Sequence, residues 1–438
     1  MKFILEQSDE SLATHSGLAL VGALVSKTNS KSRLNQIARS KGYSPYICNG
    51  DVAISYIGLL CQGKSDFDHI EQFRDDQFFR DSLGLKDVPS SPTLRQRFDM
   101  ASGSWNRIVL EESVSLIKST GPIITPCIRN LIPLDIDVSP FDNSGTKKEG
   151  VSRTYKQVDG YAPIFAYLGK EGYCVNAELR EGKMHCQSNT PNFLAQSITY
   201  VRMITDAPIL VRMDSGNDSL DNIKVCLNPE TRADFLIKRN LRKESPESWL
   251  AIAQEYGICH EERLGKDYSG DIYIDKGIGV PLRIVFKVTK RTIDAKGQYL
   301  LFPEIEVDTY YTSLPDAPAQ VIDLYEQHGT SEQFHSEIKG ELDLERLPSG
   351  KFKTNYLVLL LGIMAYNILR LIGQESIKTS DAPLRKKAQR RRIRTVIQNL
   401  ITIASKIVYH ARRYKLAFGR RCPWFATFKR IYTAFNTS

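Results

Sequence analysis

Helical spacing of apolar residues dominates the first part of the chain, up to about residue 125. The segments LALVGALVSKT and VAISYIGLLCQG repeat apolar residues every three or four positions, the period that places them on one face of a helix. In PSSPTLRQRFD, Ser90 or Ser91 suits a helix cap and Pro92 suits the first turn. The sequence therefore predicts a helical N-terminal region.

Alternation with period two replaces this pattern from about residue 126. NLIPLDIDVSP alternates apolar and polar residues, and YAPIFAYLG and GYCVNAEL follow as strand-like runs. TPNFLAQSITYVRMIT predicts a helix, and APILVRMDSG predicts an apolar strand that ends at Asp214. The predicted order is strand, strand, strand, helix, strand.

The rest of the chain mixes the two patterns. Residues 217–315 contain one helical stretch, SPESWLAIAQEYG, among several strand-like runs, and helical spacing returns from Ala317 to Gly373. The run YLVLLLGIMAYNILRLI contains Asn367 and Arg370 and is shorter than the ~20 residues that span a bilayer, so it predicts a buried helix. The basic tail beyond it also keeps helical spacing, which predicts a basic amphipathic helix.

Positive charge is concentrated in that tail. The 438 residues carry a formal net charge of +9, yet residues 382–438 hold fifteen Lys and Arg and no Asp or Glu, which leaves −6 for the rest. A local excess of this kind is typical of a segment that binds a polyanion. We predict DNA contacts from four arginines of the tail: Arg390, Arg391, Arg392 and Arg394.

Several other classes of protein find no support in the sequence. The eight cysteines form no C-x-x-C pair and no zinc-type spacing, so neither a zinc module nor a disulfide framework is expected. The expected compartment is a reducing cytoplasm. The N-terminus lacks the apolar stretch of a signal peptide, and we expect no membrane partner. No glycine-rich phosphate loop is present, so no nucleotide partner is expected.

Two aspartates lie at predicted strand ends. In a ribonuclease H-like sheet the first strand lies beside the strand that follows the first helix, so Asp137 and Asp214 would be neighbours. Asp135 shares a face with Asp137 in an alternating strand, so periodicity does not choose between them. Two Mg²⁺ ions about 3.5–4 Å apart, held by a few carboxylates, would stabilise the attacking and leaving oxygens of a phosphodiester.

A third carboxylate is expected from the segment YEQHGTSEQFHSEIKGELDLERL. Tyr325, Glu332 and Lys339 stand seven residues apart, and His328 precedes Glu332 by about one turn. On a continuous helix these side chains project from one polar face. Glu332 is therefore the candidate that would complete the set with the two aspartates.

These motifs resemble those of the DDE transposases of bacterial insertion sequences, in the group marked by a Y-x2-R-x3-E-x6-K box. Tyr325, Glu332 and Lys339 match the box, and His328 occupies the place of its arginine. LDIDVS matches the D-x-[ST] strand of the family through Asp137, and VRMDSG matches its D-S-G motif. The resemblance covers roughly residues 126–372 and is greatest with the branch named insertion sequences thirteen-eighty, through GYAPI and YEQHGTSE.

The resemblance implies an enzyme that binds the terminal inverted repeats of an insertion sequence and catalyses Mg²⁺-dependent cleavage and strand transfer. Asp137, Asp214 and Glu332 would hold two ions, with Mn²⁺ as a substitute, while Tyr325, His328 and Lys339 would contact DNA. It also implies a homodimer on double-stranded DNA, a bacterial cytoplasmic and nucleoid-associated location, and cut-and-paste through a hairpin. A base flipped from that hairpin could stack on the Trp249 ring.

Further DNA contacts are expected from basic residues outside the box and the tail. These are Arg95 and Arg97 near a helix start, and the cations of a loop after the first carboxylate strand: Lys147, Lys148, Arg153 and Lys156. Two other functions remain open, a transposase-derived DNA-binding protein without turnover and a nuclease that does not join strands.

The expected fold is α/β, a ribonuclease H-like mixed five-strand sheet with flanking helices and a β-rich insertion. Five regions are predicted: a helical end-binding and dimerisation domain (1–125), the first part of the catalytic core (126–216), the β-rich insertion (217–316), the second part of the core with the Glu332 helix (317–373), and a basic helical DNA-binding region (374–438).

Overall fold

The computed structural model of the protein describes residues 2–37, 45–101, 103–231, 233–294, 296–411 and 413–437. It divides into two compact units. Unit 1 comprises residues 1–123, 141–161 and 335–438, and unit 2 comprises residues 124–140 and 162–334. The N-terminal and C-terminal regions thus belong to one unit, whereas both predicted strand aspartates belong to the other. The assignment of functions to the five predicted regions remains a prediction.

The described ranges contain both helices and strands. The helices are α1 (Leu18–Val25), α2 (Ser30–Gln36), α3 (Asn49–Leu60), α4 (Gln77–Ser82), α5 (Ser91–Ala101), α6 (Asn106–Thr120), α7 (Thr190–Ile204), α8 (Leu220–Leu227), α9 (Pro246–Tyr256), α10 (Pro318–Glu326), α11 (Ser331–Ser336), α12 (Phe352–Ser376), α13 (Ile393–Val396) and α14 (Phe425–Thr437). The strands are β1 (Leu12–Ala13), β2 (Ile132–Val138), β3 (Phe141–Asp142), β4 (Ser152–Arg153), β5 (Asp159–Tyr161), β6 (Ile164–Leu168), β7 (Tyr173–Glu178), β8 (Ile209–Met213), β9 (Ala233–Lys238), β10 (Ile258–Glu262), β11 (Gly265–Ile274), β12 (Leu282–Ile293), β13 (Tyr299–Thr312), β14 (Ser405–His410) and β15 (Arg413–Phe418).

A large mixed sheet forms the centre of unit 2. Its first part has the order β7-β6-β2-β8-β9, in which β2 runs antiparallel to β6 and parallel to β8. Strand β8 also runs parallel to β9, and helix α7 connects β7 to β8. The residues of β6 and β8 are buried throughout, which is why β6 is a continuous apolar run in the sequence and β8 is apolar except for Arg212.

The expectation of a five-strand sheet is corrected in one respect. Within the described residues the sheet has nine strands, because the predicted insertion adds β13, β12, β11 and β10 beyond β9. The junction is short, since β13 pairs with β9 only through residues 310–312 against 236–238. The insertion therefore extends the sheet at its edge instead of forming a separate layer.

Unit 1 is built around the long helix α12. Its apolar window is 94% buried although the helix is long enough to cross a membrane, so the prediction of a buried helix is confirmed. Its two polar residues have partners inside the core. Asn367 Nδ2 donates to Ser113 Oγ of α6 at 2.9 Å, and Arg370 donates to the buried carboxylate of Glu337. Their burial is thereby compensated.

The predicted basic amphipathic helix of the tail is wrong for most of its length. Helix α13 and a wide π-turn occupy residues 393–401, and residues 405–418 then form the antiparallel ribbon β14–β15. The reason lies in Ile407, Tyr409, Tyr414 and Leu416, which alternate with polar residues and are β-branched, aromatic or apolar. Strand β1 adds a short third strand beside β14.

Candidate active site

The ends of two parallel strands bring Asp137 and Asp214 together. Ile136 of β2 stands opposite Met213 of β8; Asp137 follows Ile136 within β2, and Asp214 follows Met213 just beyond the end of β8. Burial, followed by the charge of Asp137, raises the pKa of Asp214. A hydrogen bond of 2.7 Å from Asn217 Nδ2 to Asp214 Oδ1 opposes this shift. The two carboxylates are therefore close enough to repel each other.

Asp135 has a different role, although it shares a strand face with Asp137. Arg212 donates from Nε to Asp135 Oδ1 at 2.6 Å and from Nη2 to Oδ2 at 2.8 Å, so both carboxylate oxygens are occupied. Burial acts to raise the pKa of Asp135, but the charges of Arg212 and His328 outweigh it and the pKa is lowered. This geometry favours Asp137 over Asp135 as the metal ligand, the choice that the alternating pattern leaves open.

The segment from Tyr325 to Lys339 is not one continuous helix, which corrects the expectation of a single polar face. Helix α10 ends at Glu326, a 3₁₀ turn spans Gln327–Thr330, α11 follows, and a π-turn spans Glu337–Glu341. These tighter and wider turns rotate the side chains away from a common stripe. Tyr325 is half-buried against the Tyr310 ring at 4.8 Å between centroids.

His328 lies inside unit 2, whereas the resemblance implied a DNA contact. Its side chain is 7% exposed, and its Nδ1 lies 3.1 Å from Asp135 Oδ1. Burial acts to lower the pKa of His328, but the charge of Asp135, with that of Asp137, outweighs burial and raises it. The imidazole thus belongs to a buried charge cluster with Asp135 and Arg212, and this structure leaves it little surface for a phosphate.

The same segment contributes one direct contact to the aspartates. Ser331 Oγ donates to Asp137 Oδ2 at 3.0 Å, and the adjacent Glu332 is exposed on α11. Among the described residues, however, no group of three or more His, Cys, Asp or Glu side chains has the geometry of a metal site. Asp137 and Asp214 fit a divalent cation, because a like-charge pair of oxygen ligands gains from one. Glu332 follows Ser331, which contacts Asp137, but its own carboxylate does not form a metal site with the two aspartates in this conformation.

The predicted DNA-contacting residues of unit 1 near its N-terminus differ in exposure. Arg95 is exposed and pairs with Asp68 at 2.9 Å, whereas Arg97 is 8% exposed and donates to Asn49 Oδ1 at 2.6 Å. Arg97 therefore stabilises the local fold, and Arg95 keeps an accessible guanidinium.

Lys339, the last residue of the predicted box, lies over the Phe141 ring, 5.5 Å from its centroid.

The loop after Asp137 also combines exposed and engaged cations. Lys147 and Lys156 are exposed, and Arg153 is exposed while donating to the carbonyl of Gln157 at 2.7 Å. Lys148 is half-buried and donates to Asn143 Oδ1 at 3.1 Å. Three of the four predicted cations thus reach solvent.

The tail arginines are largely engaged within unit 1. Arg390 pairs with Glu337 at 3.0 Å and Arg392 with Glu341 at 3.2 Å. Arg391 is 5% exposed, and its guanidinium lies 4.9 Å from the centre of the Trp424 ring. Arg394 is exposed. The first three arginines hold the tail to the helical core.

Trp249 has a structural environment in unit 2. It is 4% exposed, and its Nε1 donates to Glu244 Oε2 at 2.7 Å. Its ring also lies beneath Arg239, 5.4 Å from the guanidinium. A flipped base would have to displace these contacts to reach the ring.

Three residues near the aspartates were missed in the sequence: Asn217, which donates to Asp214, and Arg212 and Ser331. Arg212 is a charged residue inside an otherwise apolar strand, a signal that predicts a buried partner. Ser331 carries no such signal, because a serine beside a predicted acidic residue is common on helices. Only the spatial pairing with Asp137 reveals it.

Comparison with known proteins gives two findings. The family model described as "Transposase DDE domain group 1" matches residues 3–438. The fold is similar to that of piggyBac transposase in a synaptic complex with hairpin DNA, with a TM-score of 0.42 and 12% sequence identity, covering 90% of this chain and 82% of that one. No curated protein matches the chain.

Proposed function

The chain belongs to the family described as Transposase DDE domain group 1, and from that premise we propose that it is a DNA transposase acting on the terminal inverted repeats of an insertion sequence. One observation carries the proposal: Asp137 and Asp214 lie side by side at parallel strand ends, and Ser331, the neighbour of Glu332, donates to Asp137. Asp137, Asp214 and Glu332 are the proposed ligands of Mg²⁺, with Mn²⁺ as a substitute.

Two neighbouring side chains orient the aspartates. Ser331 donates to Asp137 and Asn217 donates to Asp214, which restricts the rotation of both carboxylates. Divalent ions, when bound, supply stabilisation of the charge that develops on the attacking and leaving oxygens. The exposed Glu332 has room to move towards the aspartates, because its side chain has no packing to lose. Closure of α11 on DNA would complete the three carboxylates.

Finer features of the proposal depend on the sequence resemblance. We propose a homodimer that cuts and pastes through a hairpin intermediate in the bacterial cytoplasm, within the insertion-sequence thirteen-eighty branch. Support comes from Tyr325, Glu332 and Lys339 at the spacing of the family box, and from the segment GYAPI.

The test measures strand cleavage and end binding separately. Labelled duplexes from the DNA that flanks the reading frame are incubated with Mg²⁺ and the wild type, Asp137→Asn, Asp214→Asn or Glu332→Gln. Each variant is expected to lose more than about 100-fold in cleavage and to retain binding, since even outer partners of metal ligands contribute about 10–100-fold. Strand transfer into a supercoiled plasmid separates a transposase from a nuclease.

A matched control lies next to the same strand, at its other end. Asp206 is exposed just before the N-terminal end of β8, while Asp214 follows its C-terminal end. Asp206→Asn is therefore expected to cut like the wild type. Cleavage by Asp214→Asn at the wild-type rate refutes the assignment.

A further inference from the structure

The ribbon β14–β15 has two chemically different faces. Cross-strand pairs Ile407↔Leu416 and Tyr409↔Tyr414 share one face, and strand alternation puts Val408↔Lys415 and His410↔Arg413 on the other. The first face touches α4 of the same unit through one hydrogen bond, from Gln77 Nε2 to Tyr414 Oη at 2.7 Å. The second, which we call the outward face, consists of Lys406, Val408, His410, Arg413, Lys415 and Ala417.

Two cations of the outward face, Arg413 and Lys415, differ from the other tail cations in their partners, whereas Lys406 of the same face pairs with Glu10 at 2.6 Å. Arg390 and Arg392 pair with glutamates of unit 1, and Arg430 pairs with Asp381 at 2.9 Å. Arg413 and Lys415 are exposed, and among the described residues neither has an acidic partner. The unneutralised charge of the tail therefore includes a compact pair on one strand.

From this geometry we propose that the outward face of the ribbon binds the phosphodiester backbone of duplex DNA. The major groove of B-DNA is about 12 Å wide and admits a two-stranded β-ribbon. Arg413 and Lys415 are two residues apart on one strand, so their side chains start about 7 Å apart and point the same way. A row of cations on a ribbon matches a row of phosphates.

This inference rests on the proposed function for its partner and assigns the contact to residues outside the predicted arginines. It replaces a charged helix with a ribbon that is held to the rest of unit 1 by the pairing of β14 with β1 and by the hydrogen bond from Gln77 to Tyr414. Because the backbone of the ribbon is held at these points, less entropy is lost when its cations bind.

The test measures the salt dependence of binding to a fluorescein-labelled duplex of random sequence in EDTA, so that no cleavage takes place. Each phosphate contact contributes a slope of about 0.9 in log K against log salt. The double variant Arg413→Gln with Lys415→Gln is expected to lower the slope by about 1.8 and to weaken binding at every sequence. Circular dichroism checks that both exposed substitutions leave the fold intact.

Two controls match this variant. Arg413→Lys with Lys415→Arg keeps both charges and is expected to keep the wild-type slope. Lys118→Gln with Lys224→Gln removes the same charge from exposed positions elsewhere and is also expected to keep it. An unchanged slope in the Arg413/Lys415 double variant, an equal loss in the Lys118/Lys224 control, or no duplex binding by the wild type overturns the proposal.

Failure of the ribbon and failure of the proposed function give different results. Cleavage with Asp214→Asn tests the enzyme, whereas slopes in EDTA test the ribbon. If the Arg413/Lys415 variant lowers the slope but Asp214→Asn still cuts, the ribbon proposal stands and the assigned active site is wrong. The reverse result retains the site and loses the ribbon.

Discussion

Replacing Asp135 by Asn separates a structural aspartate from Asp137, the proposed metal ligand. The substitution keeps the shape of the side chain and removes its charge, which leaves the Arg212 guanidinium buried at 4% side-chain exposure without its anion. Breaking a buried ion pair by removing one partner costs about 3–5 kcal/mol. Arg212 keeps its bond to the carbonyl of Leu324 at 2.7 Å, so the lower half of this range is expected.

Asp137 supplies the contrast two residues away. Asp137→Asn removes a charge that repels Asp214, so we expect little loss of stability and a complete loss of cleavage. Differential scanning calorimetry measures the melting temperature of each variant. For a unit of this size about 1 kcal/mol shifts the melting temperature by about 2–4 °C, so a loss of about 3–4 kcal/mol should make Asp135→Asn melt about 6–16 °C lower.

The double variant Asp135→Asn with Arg212→Gln removes both charges. Its destabilisation should be smaller than the sum of the single effects, because neither residue then leaves an uncompensated charge. Equal melting of Asp135→Asn and the wild type, or an Asp137→Asn variant that melts as low, refutes the assignment of Asp135 as the structural residue.

Two further predictions concern charged residues elsewhere. His328→Arg would restore the arginine of the family box. It should destabilise unit 2 by about 1–3 kcal/mol, because it crowds a second guanidinium against Arg212. No gain of cleavage is expected, and higher cleavage would contradict this reasoning. The hydrogen bond from Arg430 lowers the pKa of Asp381 from 3.8 to about 2. The stabilisation by this pair is therefore full above the unfolded pKa and lost as pH falls through about 2. Thermal unfolding of Asp381→Asn should show a deficit of about 0.2–1 kcal/mol near pH 6 that vanishes near pH 2, and a deficit constant with pH would contradict the sign.

Strand β8 could be predicted from the sequence because burial on both sides of a central strand favours an apolar run, whereas alternation predicted β2 and helical spacing predicted α7. The neighbourhood of Asp137 and Asp214 followed from the order of these elements. The pairing of Arg212 with Asp135 could not be predicted, since the two residues are 77 positions apart and no local pattern relates them.

The tail and the Tyr325–Lys339 segment show where periodicity misleads. Ile407 and Val408 fit a helical stripe, yet Tyr409 and Tyr414 pair across a ribbon, with ring centroids 5.0 Å apart. Spacings of three, four and seven residues assume 3.6 residues per turn, and the 3₁₀ and π-turns around α11 break that assumption. The helical spacing predicted His328 on a polar surface, whereas the structure places it inside unit 2.

The three-residue junction between β13 and β9 has a consequence for how this protein can change over generations. Val285 of β12 and Tyr310 of β13 lie in the same hydrophobic cluster as Leu210 of β8, so the inner ends of these strands are tied to the strand that precedes Asp214. The outer ends are largely exposed, as at residues 299–304 of β13, and can lengthen, shorten or vary in surface without disturbing that cluster. Divergence between lineages is therefore expected at the outer ends of the strands, while the inner ends stay fixed.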